Sequence, residues 1–526
     1  MLPRRLRLAI AVGLTALPVG AAFAQESGTA RPDIAALLRR LEDQEKRIQA
    51  LEHRLEPLHQ GPAPAASEAE AAEITASVAT GSESRRAALP TPAPSSTATA
   101  GATAAVSGKA AVAAATPINV TPGIVRATQD GLFFQSADGA DVIRFRGNLQ
   151  VDGRWFSDRF TPLSADTWLF RKVRPYFEGT FDNIYDFRFM PDFGNGKAII
   201  VDAFVTGRFE PWLAVQAGKF KGPVGLERLQ PDQFNRFLEL GFPSALVPNR
   251  DLGVELGGDI WSGALGYAVG YLDGATDGNS TDTNTTPDAG NVGKKDSEAR
   301  LFAQPFVNSG NPFLRGLGLG VGGTYMNATG SAANTLLGTY RTPGQQTFFT
   351  YRTGANATYA DGERYRYMPQ FFYYAGSFGL LGEYVDSSQQ VSRQSSTTLK
   401  RSGWVDNSAW QVSVAYFLTG ERESYNSFVP RSTLQVGQPG WGAWELVARY
   451  HDLRISRSAF AGGAASFADP TVSPREASAV GVGLNWYLNQ NVRWMFDYER
   501  TRFEKGAVSG DRPQENALLT RFNLVF

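Results

Sequence analysis

Cysteine is absent from this chain of 526 residues, and histidine occurs only at positions 53, 59 and 451. The usual nucleophile and metal-ligand constellations have little to be built from, so no enzyme activity, catalytic residue, metal site or cofactor is expected. His451, beside Asp452, reads as a rim residue, and the Asp- and Asn-rich stretch 273–288 reads as a solvated loop. A disulfide-free exported protein of this size relies on a hydrogen-bonded sheet. Long apolar runs are missing too. No segment supplies about 20 consecutive apolar residues, so helices cannot carry the chain across a bilayer and a closed barrel of strands is the remaining way to span one. Net charge is also missing, since 51 basic residues balance 51 acidic ones. No nucleic-acid partner is expected.

The N-terminus points to export. Arg4, Arg5 and Arg7 precede an apolar run from Leu8 to Val19 and the small-residue site Ala22-Phe23-Ala24, which together read as a signal peptide over residues 1–24. In residues 31–55, Ile34, Leu41, Ile48 and Leu55 recur every seven residues, interleaved with Leu37, Gln44 and Leu51. That pattern predicts a short periplasmic coiled-coil helix and hence an oligomer. Residues 56–116 are rich in Ala, Pro, Ser and Thr, and cannot bury enough surface to offset their ordering entropy, so they read as a disordered linker.

From about residue 118 to 526 the chain breaks into alternating runs of roughly ten residues, separated by turn residues. Between Val142 and Trp155 the odd positions include Ile143, Phe145, Leu149 and Val151, and the even ones Arg144, Arg146, Gln150, Asp152 and Arg154. The next run sets Leu169, Val173 and Phe177 against Lys172, Arg174 and Glu178. Walls that separate lipid from water alternate in this way, although a soluble sandwich also alternates. The spacing of turns favours the membrane. Candidate strands at 142–156, 168–181, 185–193, 198–210, 212–220, 251–261, 263–273, 297–306, 315–327, 363–375, 378–388, 406–418, 441–451, 476–488, 491–503 and 514–526 are joined alternately by short and long connections. The expectation is all-β: a 16-stranded antiparallel transmembrane barrel of the bacterial outer membrane, with short turns on the periplasmic side. The connection 419–440 breaks the rule, since a periplasmic turn is expected to be short and this one runs to about twenty residues, a length that leaves open whether it folds into or below the lumen. Leu518, Phe522 and Phe526 face lipid, whereas Arg521 and Asn523 face the pore and should neighbour Arg144 and Arg146 when the barrel closes.

Several separated motifs resemble one family. The stretch Gly218-Lys-Phe-Lys-Gly-Pro-Val-Gly-Leu-Glu227, followed by Phe237-Leu-Glu239 and Pro248-Asn-Arg250-Asp-Leu-Gly-Val254, is similar to the constriction-loop region of the phosphate-selective porin O and P family. Phe170-Arg-Lys-Val-Arg174, Phe417-Leu-Thr-Gly-Glu421 and the end from Glu515-Asn516 to Phe526 resemble it as well. The resemblance implies a trimeric porin whose third outer loop folds into the pore and whose lumenal Arg and Lys draw anions. In the loop, Gln233 and Leu240 stand where the phosphate-specific relatives carry basic residues.

Placement of charge matters more than its sum, because residues 117–526 hold 39 basic and 40 acidic side chains. A charge about 4 Å from an ion is worth roughly 4 kcal/mol at an effective dielectric near 20 and about 1 kcal/mol in bulk water. Candidate pore-lining residues on the strands are Arg144, Arg146, Arg154, Lys172, Arg174, Arg188 and Arg208, and those of the infolded loop are Lys219, Lys221, Arg228, Arg236 and Arg250. The competing role for each is bracing the wall by pairing with Asp152, Glu178, Asp186, Asp202 or Glu210. These residues predict a water-filled channel favouring small anions such as phosphate or pyrophosphate; a general small-solute porin, or a barrel that tethers the envelope through its coiled coil, are the alternatives. The expected partners are outer-membrane lipid, small anions, two further copies in a homotrimer, and a periplasmic or peptidoglycan contact through the N-terminal helix.

Overall fold

The computed structural model describes residues 123–526, apart from 129, 158–165, 282–293, 397–398, 427 and 436. The expected signal peptide, coiled-coil helix and linker lie outside the described residues. Two short strands come first, β1 (Ile124–Thr128) and β2 (Gly131–Gln135). The wall then begins with β3 (Val142–Phe156), β4 (Thr167–Phe181), β5 (Tyr185–Asp192), β6 (Ile199–Glu210), β7 (Leu213–Lys221), β8 (Arg250–Ile260), β9 (Leu265–Leu272), β10 (Asp296–Ala303) and β11 (Leu317–Thr329). A small outer sheet of β12 (Tyr340–Arg341) and β13 (Thr347–Phe349) interrupts it. The wall resumes with β14 (Thr358–Ala375), β15 (Phe378–Gln394), β16 (Lys400–Phe417), β17 (Ala443–Arg454), β18 (Glu476–Tyr487), β19 (Val492–Glu504) and β20 (Glu515–Val525).

Strands β3 to β11 and β14 to β20 form a closed 16-stranded antiparallel barrel. It closes by pairing β20 with β3, from Ala517 opposite Phe156 to Val525 opposite Asn148. This register places Arg521 opposite Asp152 and Asn523 opposite Gln150. The expected neighbours Arg144 and Arg146 lie further toward the periplasm, because β20 ends before it reaches them.

Burial settles which side faces water. Along β19, Arg493, Met495, Asp497, Glu499 and Thr501 are buried, while Trp494, Phe496 and Tyr498 are exposed. Phe177, Trp410, Leu518 and Phe522 are exposed in the same way. Charges inside and aromatics outside are the pattern of a wall surrounded by hydrocarbon and lined with polar groups. Tight turns close the periplasmic end; in one of them Asp182 and Asn183 take φ of 54° and 57°, a left-handed geometry that Asp and Asn tolerate better than most residues.

Three departures from the sequence reading have physical causes. The expected long loop 389–405 is mostly strand, since β15 runs to Gln394 and β16 starts at Lys400, so that β14, β15 and β16 stand far taller than a bilayer needs. In β4, Gln150 pairs with Lys172 and Val151 with Phe170, which leaves Arg171 as a bulge. A bulge flips the alternation, so the exposed residues beyond it are Trp168 and Phe170, not Leu169. The third departure is the Asp-rich loop. Asp277 is not solvated; its carboxylate accepts hydrogen bonds from Arg366 Nε at 2.9 Å, Ser387 Oγ at 3.0 Å and Tyr340 Oη at 3.2 Å.

Candidate functional site

The connection between β7 and β8, residues 222–249, folds into the lumen and is fastened there by its own backbone. Leu226 N donates to Glu383 Oε2 at 2.8 Å, Leu238 N to Asp497 Oδ2 at 2.7 Å, and Phe242 N to His451 Nδ1 at 3.0 Å. From the wall, Arg449 donates to the Glu239 carbonyl at 2.8 Å, Asn485 to that of Arg236 at 2.9 Å and Arg493 to that of Asn235 at 2.9 Å. A non-helical loop in a lumen needs partners for its amides and carbonyls, and the polar residues of β15 to β19 supply them. His451 is therefore no rim residue. It is fully buried, and its ring lies 4.3 Å from that of Phe242.

A second segment supports the loop from below. The long periplasmic turn 418–442 rises into the lumen, where Tyr425 Oη donates to the Leu226 carbonyl and its ring stacks on Phe372 at 5.3 Å. Gln230 Nε2 donates back to the Tyr425 carbonyl at 2.9 Å. Of the two placements its length left open, within or below the lumen, the turn takes the first at Tyr425.

The loop leaves a passage along the opposite wall, built by β3 to β8. An outer chamber of about 400 Å³ and an inner one of about 470 Å³ share three charged residues, Arg174, Asp232 and Arg250. These three stand where the two chambers meet. The outer chamber is lined by Arg171, Lys172, Arg228, Arg341 and Arg521 as well, with Glu239 as its other acid. The inner one adds Arg146, Arg188 and Lys221, with Asp202 as its other acid.

Carboxylates in the passage are outnumbered at each pairing. Glu239 accepts from Arg171 Nε at 2.7 Å and Arg154 Nη2 at 3.0 Å, and lies 3.4 Å from Arg521 Nη2. Asp232 accepts from Lys172 and Arg174, both at 2.6 Å, and lies 3.7 Å from Lys221. Asp152 also pairs with Arg154 and Arg521, and Asp192 with Arg174, so each cluster sets two acids against three cations and keeps one net positive charge in a narrow space. Burial would raise the carboxyl pKa of Asp232, but Lys172, Lys221 and Arg174 outweigh it and hold the group well below the usual carboxylate range. For Glu239, burial is likewise overcome, chiefly by Arg171.

Of the twelve candidate pore residues, Arg146, Lys172, Arg174, Arg188, Lys221, Arg228 and Arg250 line one or both chambers. Five do not. Arg144 sits over the Phe133 ring at 5.4 Å, at the periplasmic end of β3. Arg208 pairs with Asp186 at 2.7 Å beside a periplasmic turn. Arg154 is buried between Asp152 and Glu239. Arg236 is held between Glu423 of the long periplasmic turn, at 2.6 Å, and Glu445 of the wall, at 3.5 Å. Lys219 belongs to β7 and not to the loop; it is buried opposite Ala203 and Leu252 and lines neither chamber. Two lining cations escaped the sequence reading. Arg171 turns inward through the bulge, whose signal is a phase slip in the apolar pattern from Trp168 and Phe170 to Val173 and Phe177. Arg341 lies on an outer loop, where period-two reasoning has no purchase.

Comparison with known proteins agrees with this architecture. The family described as phosphate-selective porin O and P matches residues 143–526, the whole barrel wall. The chain belongs to that family. It is therefore an outer-membrane β-barrel of the porin class and not an enzyme. Porin O of Pseudomonas aeruginosa is 24% identical over 152 residues, which cover 29% of this chain; the match spans about a third, 33%, of that relative's length. Among solved structures, the outer membrane channel DcaP of Acinetobacter baumannii is similar at 8% identity, over 75% of this chain and 99% of its own, with a TM-score of 0.45. The anion-selective porin from Comamonas acidovorans is similar at 12% identity, over 73% and 100%, with a TM-score of 0.41.

Proposed function

We propose that this porin is a water-filled diffusion channel that favours small anions, phosphate and pyrophosphate among them, and that it works as a homotrimer in the outer membrane. The observation that carries the proposal is the excess of cations around the constriction, where Arg174 and Arg250 belong to both chambers and Asp232 is surrounded by three positive groups. Anions entering from outside meet Arg341, then Arg171, Lys172 and Arg228, and leave past Arg188 and Arg146. A positive, poorly screened passage lowers the cost of dehydrating an anion and raises that of a cation. Its grip is moderate. The closest cations already donate to Asp232 and Glu239, so a permeating anion competes with fixed carboxylates and is not held as tightly as by free guanidiniums.

The same engagement favours a broad substrate range as the second reading, in which the passage sorts small solutes by charge without recognising one of them. Reversal potentials in a planar bilayer separate the possibilities. An anion-favouring channel gives a zero-current potential of anionic sign in a KCl gradient, and millimolar phosphate or pyrophosphate lowers the chloride current. A chloride current indifferent to both, with the anionic sign kept, supports the broad reading; a cationic sign refutes the proposal.

A further inference from the structure

The hairpin of β1 and β2 lies outside the barrel wall proper but continues it. Below the point where β20 ends, β2 takes over as the neighbour of β3, with Leu132 opposite Phe145 and Phe134 opposite Ile143. In turn β1 pairs with β2, with Val125 opposite Phe134 and Ala127 opposite Leu132. Directly opposed residues in a ladder share a face, so Val125, Ala127, Leu132 and Phe134 fall on the face of Ile143 and Phe145. That face is the lipid-facing one. Phe145 packs 5.0 Å from the exposed Phe177 and 6.3 Å from the terminal Phe526.

The other face carries Arg126, Thr128 and Gln135 beside Ile124 and Phe133. Arg126 lies opposite Phe133, Phe133 opposite Arg144, and Arg144 opposite Glu178. At the turn of the hairpin, Asp130 reaches Arg146 of the wall at 3.6 Å, which ties the hairpin to the plane of the sheet. The outcome is a ribbon in register with the wall, with its charged side chains on the lumen-side face and a wholly apolar face that continues the one meeting lipid. Val125 is 68% exposed, with Leu132 and Phe134 at 44% and 43%, comparable to Leu518 and Phe522 in the lipid-facing band.

We infer that the hairpin Ile124–Gln135 is a membrane-seated flap, whose outer face docks on the phospholipids of the periplasmic leaflet and fixes the depth of the barrel at that end. Continuity with the lipid-facing band selects the occupant. An apolar patch of this size left in water is a liability, and lipid already covers the adjoining Phe145, Phe177 and Phe526. The outer edge of β1 limits the depth. Its amides have no strand partner among the described residues, so the flap rests at the headgroup and acyl boundary, where water and headgroups satisfy them, and not in the hydrocarbon core.

Because the chain has no cysteine, single thiols report on this directly. Val125→Cys, Phe134→Cys, Arg126→Cys and, as a reference in the lipid-facing band, Leu518→Cys are made in the full chain, nitroxide-labelled and folded into vesicles of phosphatidylethanolamine and phosphatidylglycerol. Collision rates with oxygen and with a water-soluble nickel chelate are then compared. Labels at 125 and 134 are expected to give an oxygen-to-nickel ratio several-fold above that at 126 and approaching that at 518. Ratios at 125 and 134 equal to that at 126 overturn the inference. So does protection from both reagents together with spin–spin broadening, which assigns the face to a second copy of the chain. Measuring two sites on the same face keeps the test decisive if one variant fails to fold.

Discussion

Arg521 donates to both oxygens of Asp152, from Nε at 2.6 Å and from Nη2 at 2.8 Å, across the seam where the last strand meets the first. The same guanidinium donates to the Leu238 carbonyl and approaches Glu239, so the seam and the infolded loop share one side chain. Both partners are buried, and removing one of a buried pair costs about 3–5 kcal/mol, because the other charge is left uncompensated. Asp152→Ala is expected to lower the temperature at which the folded band is lost on SDS gels. The double change Asp152→Asn with Arg521→Gln should lose less than the sum of the single changes; strict additivity would show that the pair is not coupled.

His451 offers a test of how the loop is fastened. Its Nδ1 accepts from Phe242 N and its ring covers that of Phe242. His451→Ala leaves a buried amide without a partner, at a cost of about 1–3 kcal/mol. The account predicts a folded barrel with an unchanged reversal potential but a noisier open-channel current, as the loop samples more positions. Quiet channels identical to the parent would mean that the remaining bonds hold the loop alone.

Asp232 and Glu239 temper the positive passage. Asp232→Asn is expected to raise anion over cation permeability. Acid should not mimic that change. The carboxyl of Asp232 is held well below its ordinary value of 3.8, so its charge, and the stability that charge contributes, is complete above that value. Both are lost only as pH falls further, through the depressed pKa. The ratio of permeability ratios between Asp232→Asn and the parent should therefore stay constant from pH 7 to pH 5. A ratio that shrinks toward one over that range would show Asp232 protonating in its ordinary range or above it.

Much of the fold was legible because lipid outside and water inside impose a period of two on every wall strand. Val142–Phe156 was bounded correctly from that alternation, and Phe522 and Arg521 were assigned to opposite faces. The period also misled where backbone geometry breaks it. The bulge at Arg171 reversed the faces of β4, and Lys219 sits on β7 and not in the infolded loop. Arg236 looked like a pore cation because its acidic partners, Glu423 and Glu445, are far away in sequence. The hairpin 124–135 escaped notice because each of its strands has only five residues.

The central claim is that selectivity resides in the residues common to both chambers, and reversal potentials of two paired variants test it most directly. Arg174→Gln with Arg250→Gln removes the shared cations, whereas Arg144→Gln with Lys219→Gln removes two cations that line neither chamber. In a KCl gradient the first pair is predicted to lower anion over cation permeability by about threefold or more, equivalent to roughly 0.7 kcal/mol, and the second pair to leave it unchanged. An equal fall in both, or no fall in the first, would contradict the account.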